Sequence, residues 1–261
     1  MYGILYPVSQ LMINRTMMDR QQARQESRSQ WQQQAEQARL RVRPPAGALA
    51  PPGAHAADPD AGLLFQVIEF SAQLVFDDHH FVVMGTRQGT IKKTELSAFK
   101  NVRSNGIIAI NLNDDDRLVE TRLTDGTNDI LIGSYFGNAV RFQEEGVRDM
   151  GRTATGVRGI TLAKGDYVIE MIAVKRADAT VLVASEKGYG KRSRVDDFRL
   201  TRRGGKGVIA MNTTAKTGKV IALKEVVDGD DLMLMTEGGM AIRQHVSEIR
   251  VMGRNTQGVR L

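Results

Sequence analysis

The sequence predicts an all-β protein: a propeller-like array of about four blades of ~50 residues, the last incomplete. Three observations predict it. A strand–turn–strand element occurs as FVVMGTRQGTIKK (81–93), DILIGSYFGNAVR (129–141), TVLVASEKGYGKR (180–192) and DLMLMTEGGMAIR (231–243). A glycine-bearing element follows each copy, as FKNVRSNGIIAI (99–110), VRDMGRTATGVRGI (147–160), FRLTRRGGKGVIAM (198–211) and IRVMGRNTQGVRL (249–261), and both series advance by 48–51 residues. The stretch after residue 77 has short apolar runs rich in Val, Ile, Leu and Thr, turns carrying Gly, Asp and Asn, and no helical periodicity. One such unit cannot bury both faces, so blades must stack side by side.

The elements are taken in chain order. Residues 20–43 are rich in Gln, Arg and Glu and read as a polar helix. Residues 44–62, PPAGALAPPGAHAADPDAG, read as a Pro/Ala/Gly linker. All six prolines lie in the first 59 residues and no lysine precedes Lys92, so this front segment is foreign in composition to the rest of the chain. We expect residues 1–62 to be either a flexible arm or a misread start of a longer gene, with no assigned role, and residues 63–261 to hold the array. Its blades are approximately 77–125, 126–175, 176–228 and 229–261, and QVIEFSAQLVF (66–76) is available as an extra strand.

The net charge is +6, and seven arginines against six carboxylates before residue 77 leave nearly all of it on the blades. A basic chain favours acidic partners such as nucleic acid. With no cysteine, disulfides and Cys-based zinc sites are excluded. No apolar run approaches the ~20 residues of a membrane-spanning helix, and the opening MYGILYPVSQLMIN lacks the basic start of a signal peptide. Asp114-Asp115-Asp116 reads as a solvated turn, and His79, His80 and His245 lack partners in metal-ligand spacing. No metal, cofactor or catalytic residue is expected.

The stretch TRRGGKG (201–207) raises the question of phosphate. A nucleotide loop needs Gly, four residues, then Gly-Lys-Ser/Thr. Here Leu200 stands at the first position, Gly207 comes after Lys206 and no helix succeeds it. A polynucleotide fits better. Lys92, Lys93, Arg141, Lys191, Arg192 and Arg243 recur after the turn glycines; Arg103, Arg152, Arg202, Arg203, Lys206 and Arg254 recur in the glycine loops. Regularly spaced cations suit the regularly spaced phosphates of duplex DNA, with glycines admitting close backbone approach. Sparse aromatics argue against single strands. A protein-binding scaffold with solvated basic strands is the alternative from another class.

RSNGIIAINL, DMGRTATGVRGI, GYGKRSRVDDF and VMGRNTQGVRL resemble the C-terminal domain of the DNA gyrase A subunit, over residues 79–261. The resemblance implies a β-pinwheel whose blades exchange strands and whose basic rim wraps duplex DNA in a positive sense. The parent would be an ATP-dependent type II topoisomerase that introduces negative supercoils. Its ATP and Mg would lie on other domains or subunits, and its location would be the bacterial cytoplasm, on the nucleoid. Contacts to gyrase B and to the gyrase A dimer would run through other domains. TRRGGKG is similar to the family's box, Q-R-R-G-G-[RK]-G: Arg202, Arg203, Gly204, Gly205, Lys206 and Gly207 match and Thr201 replaces the glutamine. Standing one blade before RNTQGVRL, it reads as a related loop of a later blade. Tyr2, Tyr6, Tyr135, Tyr167 and Tyr189 lack the setting of the family's catalytic tyrosine, so the chain reads as a fragment of about three and a half blades without covalent chemistry. The corresponding domain of topoisomerase IV is the alternative within the class.

Overall fold

A computed structural model describes residues 5–7, 77–101, 106–236 and 239–261. The expected helix at 20–43, the linker at 44–62, the strand at 66–76 and Arg103 lie outside the described residues. Among the described residues, fifteen strands form four antiparallel sheets.

Each repeat opens with a hairpin: β2 (Phe81–Thr86) with β3 (Thr90–Glu95), β5 (Asp129–Ser134) with β6 (Asn138–Gln143), and β9 (Thr180–Ser185) with β10 (Tyr189–Arg194). A longer strand pairs beside the first member of each: β4 (Leu118–Thr124), β8 (Val168–Val174) and β12 (Val220–Val226). The fourth strand has two residues and comes from the next repeat. β7 (Val157–Arg158) pairs with β3, β11 (Val208–Ile209) with β6, and β15 (Val259–Arg260) with β10. The all-β array with exchanged strands is therefore the observed fold.

The fourth sheet holds β1 (Leu5–Pro7), β13 (Asp231–Met235) and β14 (Ala241–His245), in that order. β1 takes the place beside β13 that β4, β8 and β12 take in the other sheets. Its three residues carry no strand signal that the sequence alone reveals. Pro7 donates no hydrogen bond, and an edge position such as this one tolerates that.

The core lies between sheets. Ile130 and Ile132 of β5 pack toward the first sheet with Val83 and Ile91, while Leu131 packs toward the third with Val181 and Val183. Leu182 and Ala184 of β9 meet Leu232, Val246 and Ile249 of the last repeat. Successive side chains point to opposite faces, so β5 and β9 are buried on both. That explains the unbroken apolar runs DILIG and TVLVA. The sheets come close where residues are small: a Cβ on Gly133 would lie 2.7 Å from Leu223 Cδ1. Asp116 and Asp166 hold the hairpin tips, accepting the N–H groups of Gln88 and Phe136 at 2.9 Å. No helix among the described residues is long and apolar enough to cross a membrane.

Candidate nucleic-acid interface

The cations that come after the turn glycines join one repeat to the next. Lys93 pairs with Asp149 at 3.1 Å. Arg141 donates to Asp129 at 2.6 Å and to the carbonyls of Val195 and Phe198 at 2.9 and 3.2 Å. Arg192 donates to the Ile249 carbonyl at 2.8 Å and pairs with Asp228. Backbone bonds run alongside: the N–H groups of Met150, Thr201 and Met252 donate to the carbonyls of Lys93, Arg141 and Arg192. Lys93 and Arg192 are buried, and Arg141 is half-buried. Arg243 is 63% exposed at its side chain and pairs with Asp231.

Lys92 and Lys191 are fully buried. Lys92 Nζ donates to the carbonyls of Ala109, at 2.6 Å, and Arg152; Lys191 Nζ donates to those of Gly253, at 2.7 Å, and Arg254. Burial lowers both pKa values to about 8, with nearby Arg152 and Arg254 adding to the effect. Both ammonium groups are spent on loop carbonyls, so their geometry assigns them to holding the loops. An outward rim of six cations is thus not what the structure builds from this set: only Arg243 is exposed, because the column faces the next blade.

The glycine loops form a hydrogen-bonded ridge. Asn111 N–H donates to Ala154 O at 3.3 Å, Thr161 N–H to Gly205 O at 2.9 Å, and Asn212 N–H to Thr256 O at 3.0 Å, each bond crossing to the next repeat's loop. An arginine crosses at each junction too. Arg152, Arg203 and Arg254 donate from Nη1 to the carbonyls of Ile108, Arg158 and Ile209 at 3.3, 3.1 and 3.1 Å. These three are half-buried, whereas Arg202 and Lys206 are exposed and make no ion pair among the described residues.

The glycines of TRRGGKG serve the blade contact. Gly204 N–H donates to Gly159 O at 2.6 Å, and Thr201 N–H to Arg141 O at 2.9 Å. Gly207 has φ +76°, and a Cβ there would lie 2.2 Å from Ala139 O. Only glycine fits so close an approach at that backbone angle. Gly205 differs: nothing lies within 3.8 Å of its Cβ position, leaving room for an incoming group.

Sequence reasoning missed a further series. Lys100, Arg148, Arg199 and Arg250 recur every 48–51 residues, are exposed and make no ion pair among the described residues. Each stands directly after an apolar anchor, half-buried Phe99 or buried Val147, Phe198 or Ile249, which fixes the position beside it. The last three stand at the seams, since their neighbours Asp149, Leu200 and Val251 bridge to Lys93, Arg141 and Arg192. Arg158 and Arg260, on the exchanged strands, are exposed as well. The repeat spacing was the available signal.

A buried carboxylate pair lies between blades. Glu170 is held by Lys224 at 2.9 Å, with Arg122 at 3.7 Å. Burial, and a hydrogen bond with Glu120, raise its pKa above the ordinary value of 4.5.

Strand-exchanged blades carrying a ridge of basic glycine loops define a propeller-like module built to meet an extended polyanion. The family described as DNA gyrase C-terminal domain, beta-propeller, matches residues 80–125, 128–175, 179–226 and 230–261. The chain belongs to this family. The DNA gyrase A subunit of Salmonella typhimurium is 47% identical over 178 residues, which are 68% of this chain and 20% of that protein. The chain therefore spans about a fifth of the curated relative's length. A crystal structure of the C-terminal domain of DNA topoisomerase IV superposes with TM-score 0.68 at 30% identity, covering 72% of this chain and 58% of that one. A structure of the DNA gyrase A C-terminal domain superposes with TM-score 0.65 at 26% identity, covering 72% and 62%.

Proposed function

We propose that the chain is a duplex-DNA binding and wrapping module of a gyrase-type topoisomerase A subunit. The observation that carries this reading is the ridge of glycine loops bonded from repeat to repeat, with Arg202 and Lys206 exposed on it, beside the exposed seam series Arg148, Arg199 and Arg250. A repeated cation needs no base edge to recognise, so binding is sequence-independent and tracks the phosphate backbone. Arg158 and Arg260 add exposed charge on the exchanged strands, while Arg152, Arg203 and Arg254 hold the loops together and lend charge.

The module performs no covalent step. Strand passage, ATP and Mg belong to other parts of the parent enzyme, as do contacts with gyrase B and with the second gyrase A chain. The working location is the bacterial cytoplasm, on the nucleoid. Identities of 47% and 44% to the gyrase A subunits of Salmonella typhimurium and Staphylococcus aureus favour the gyrase type.

A length series tests the proposal. Linear duplexes of about 20 to 150 base pairs are titrated at low salt, and a plasmid is relaxed in the presence of the chain. Affinity that climbs with length, with positive writhe trapped in closed circles, is the expected result. Equal affinity for short and long duplexes with unchanged linking number would leave only a basic surface. Binding that is insensitive to salt would favour a protein-binding scaffold, because contacts to ~6–10 phosphates lose ~10³–10⁵ in affinity between about 50 and 200 mM.

A further inference from the structure

We infer that Leu200, Ile209 and Val251 lie against the deoxyribose edges of the bound duplex, between phosphates taken by neighbouring cations, and that this contact selects DNA over RNA.

Such a contact rests on the duplex-binding reading above and adds an apolar component to it. Exposed apolar side chains scattered over a surface need no explanation. These three are not scattered. Leu200 and Val251 hold the same place in successive repeats, and Ile209 holds the place of Arg158 and Arg260. They are 49%, 43% and 42% exposed for Leu200, Val251 and Ile209.

Backbone bonds fix all three beside the sheet edge that receives the exchanged strand. Leu200 bridges to Arg141 of β6, and the next N–H, that of Thr201, donates to the Arg141 carbonyl at 2.9 Å. Ile209 pairs with Asn138 on the same edge of β6, and its carbonyl accepts from Arg254 at 3.1 Å. Val251 bridges to Arg192 of β10 with a bond on either side: Arg192 N–H donates to Arg250 O at 3.3 Å, and Met252 N–H to Arg192 O at 2.7 Å. The openness belongs to the edge itself. Asp149 holds the place of Leu200 one repeat earlier, with further repeats after it, and its side chain is 50% exposed.

The neighbouring charges identify the occupant. Arg199 precedes Leu200, and the loop carrying Arg202 and Lys206 leaves the β6 edge after Thr201 and returns to it at Val208. Arg250 precedes Val251 in the same way. All four cations are exposed and make no ion pair among the described residues. Apolar groups set among such cations suit a chain in which anionic and apolar units alternate. A nucleic-acid strand is one, because a sugar follows each phosphate. Leu200 and Ile209 stand opposite Arg141 and Asn138, so about 10 Å of β6 separates them. That is the length of about three nucleotides along one strand. A ribose in the same place would bury its 2′-hydroxyl against leucine or isoleucine without a hydrogen-bond partner, which costs affinity.

Salt separates the two kinds of contact. The full chain is titrated with a linear DNA duplex of about 150 base pairs between about 50 and 500 mM salt. Log K is extrapolated to about 1 M, where charges are screened within ~3 Å. Leu200→Ser and Ile209→Ser should each lower the extrapolated affinity about 3- to 10-fold and keep the wild-type slope. Leu118→Ser removes an equally exposed apolar side chain from the opposite edge of a sheet and should change neither quantity. An RNA duplex of the same sequence should bind the wild type more weakly than DNA does, and Leu200→Ser with Ile209→Ser should narrow that ratio. Unchanged melting temperatures confirm that the exposed substitutions leave the fold intact. Extrapolated affinities equal to the wild type, a loss as large for Leu118→Ser, or an unaltered DNA-to-RNA ratio would overturn the sugar contact. Duplex binding by the wild type that ignores salt would instead overturn the parent reading, so the two fail separately.

Discussion

Arg192 donates from Nε to the carbonyl of Ile249 at 2.8 Å, tying the hairpin of one repeat to the turn of the next. Its side chain is 5% exposed, whereas Arg243, the matching residue one repeat later, is 63% exposed. Arg192→Ala should therefore lower stability by ~1.5–3 kcal/mol, the range for hydrogen bonds to charged groups. Arg243→Ala should stay within ~0.5 kcal/mol. Urea unfolding of the two variants checks the contrast; equal losses would show that burial at the seam is not what matters.

Two glycines of TRRGGKG, Gly205 and Gly207, should behave differently. Gly207→Ala forces a Cβ to 2.2 Å from Ala139 O at positive φ, and should cost more than ~1 kcal/mol of stability. Gly205→Ala has nothing nearer than 3.8 Å and should leave the melting temperature unchanged. A fall in DNA affinity for Gly205→Ala, without loss of stability, would place phosphate against that stretch of backbone.

Arg202→Ala and Lys206→Ala remove exposed charges from the ridge. Each should weaken duplex binding for all sequences alike and reduce the salt slope of log K by about 1. The same reduction is expected for Arg199→Ala, from the series at the seams. A slope unchanged in all three variants would move the DNA path off this surface.

Lys92 and Lys191 make stability depend on alkaline pH. Their folded pKa of about 8 lies below the ordinary 10.5. Between these values the unfolded chain binds protons that the folded chain has lost, so stability rises with pH across the window. Lys92→Met with Lys191→Met should flatten that rise. The fold should tolerate the change, because Val140 and Ile242 occupy the same column in the other repeats. Denaturation midpoints at about pH 7.5 and 10 measure it.

Glu170 acts in the opposite sense. Its raised pKa means that the folded chain keeps a proton which the unfolded chain gives up above 4.5. Stability should fall as pH rises from there toward the folded value. Glu170→Gln keeps the shape and removes the titration, so the decline should shrink. A variant with the wild-type pH profile would show that Lys224 already holds Glu170 ionised.

The blades were legible because their turn glycines recur and their runs are apolar without alternation. The exchanged strands were not legible from the residues alone. Val157–Arg158 is too short for any propensity, and its partner Thr90–Ile91 lies in the previous repeat. Resemblance to the family supplied that feature. The cation columns misled for a related reason. Strand polarity normally marks the solvent face, but TIKKTE is buried along most of its length, and Lys92 and Lys93 are covered while they reach loop carbonyls and Asp149. Val140 and Ile242 in the Lys92 column were the clue. The exposed series at Lys100, Arg148, Arg199 and Arg250 needed the third dimension, because its exposure depends on the inward-packed anchor before each.

Strand exchange also sets a delay during synthesis. The edge of each hairpin waits for two residues made about 70 positions later: β3 for β7, β6 for β11, β10 for β15. At ~5–20 residues per second, that edge stays open for roughly 4–14 seconds. Completion of the sheets therefore trails the ribosome by more than one full repeat, and at any instant one hairpin on the nascent chain is still unfinished.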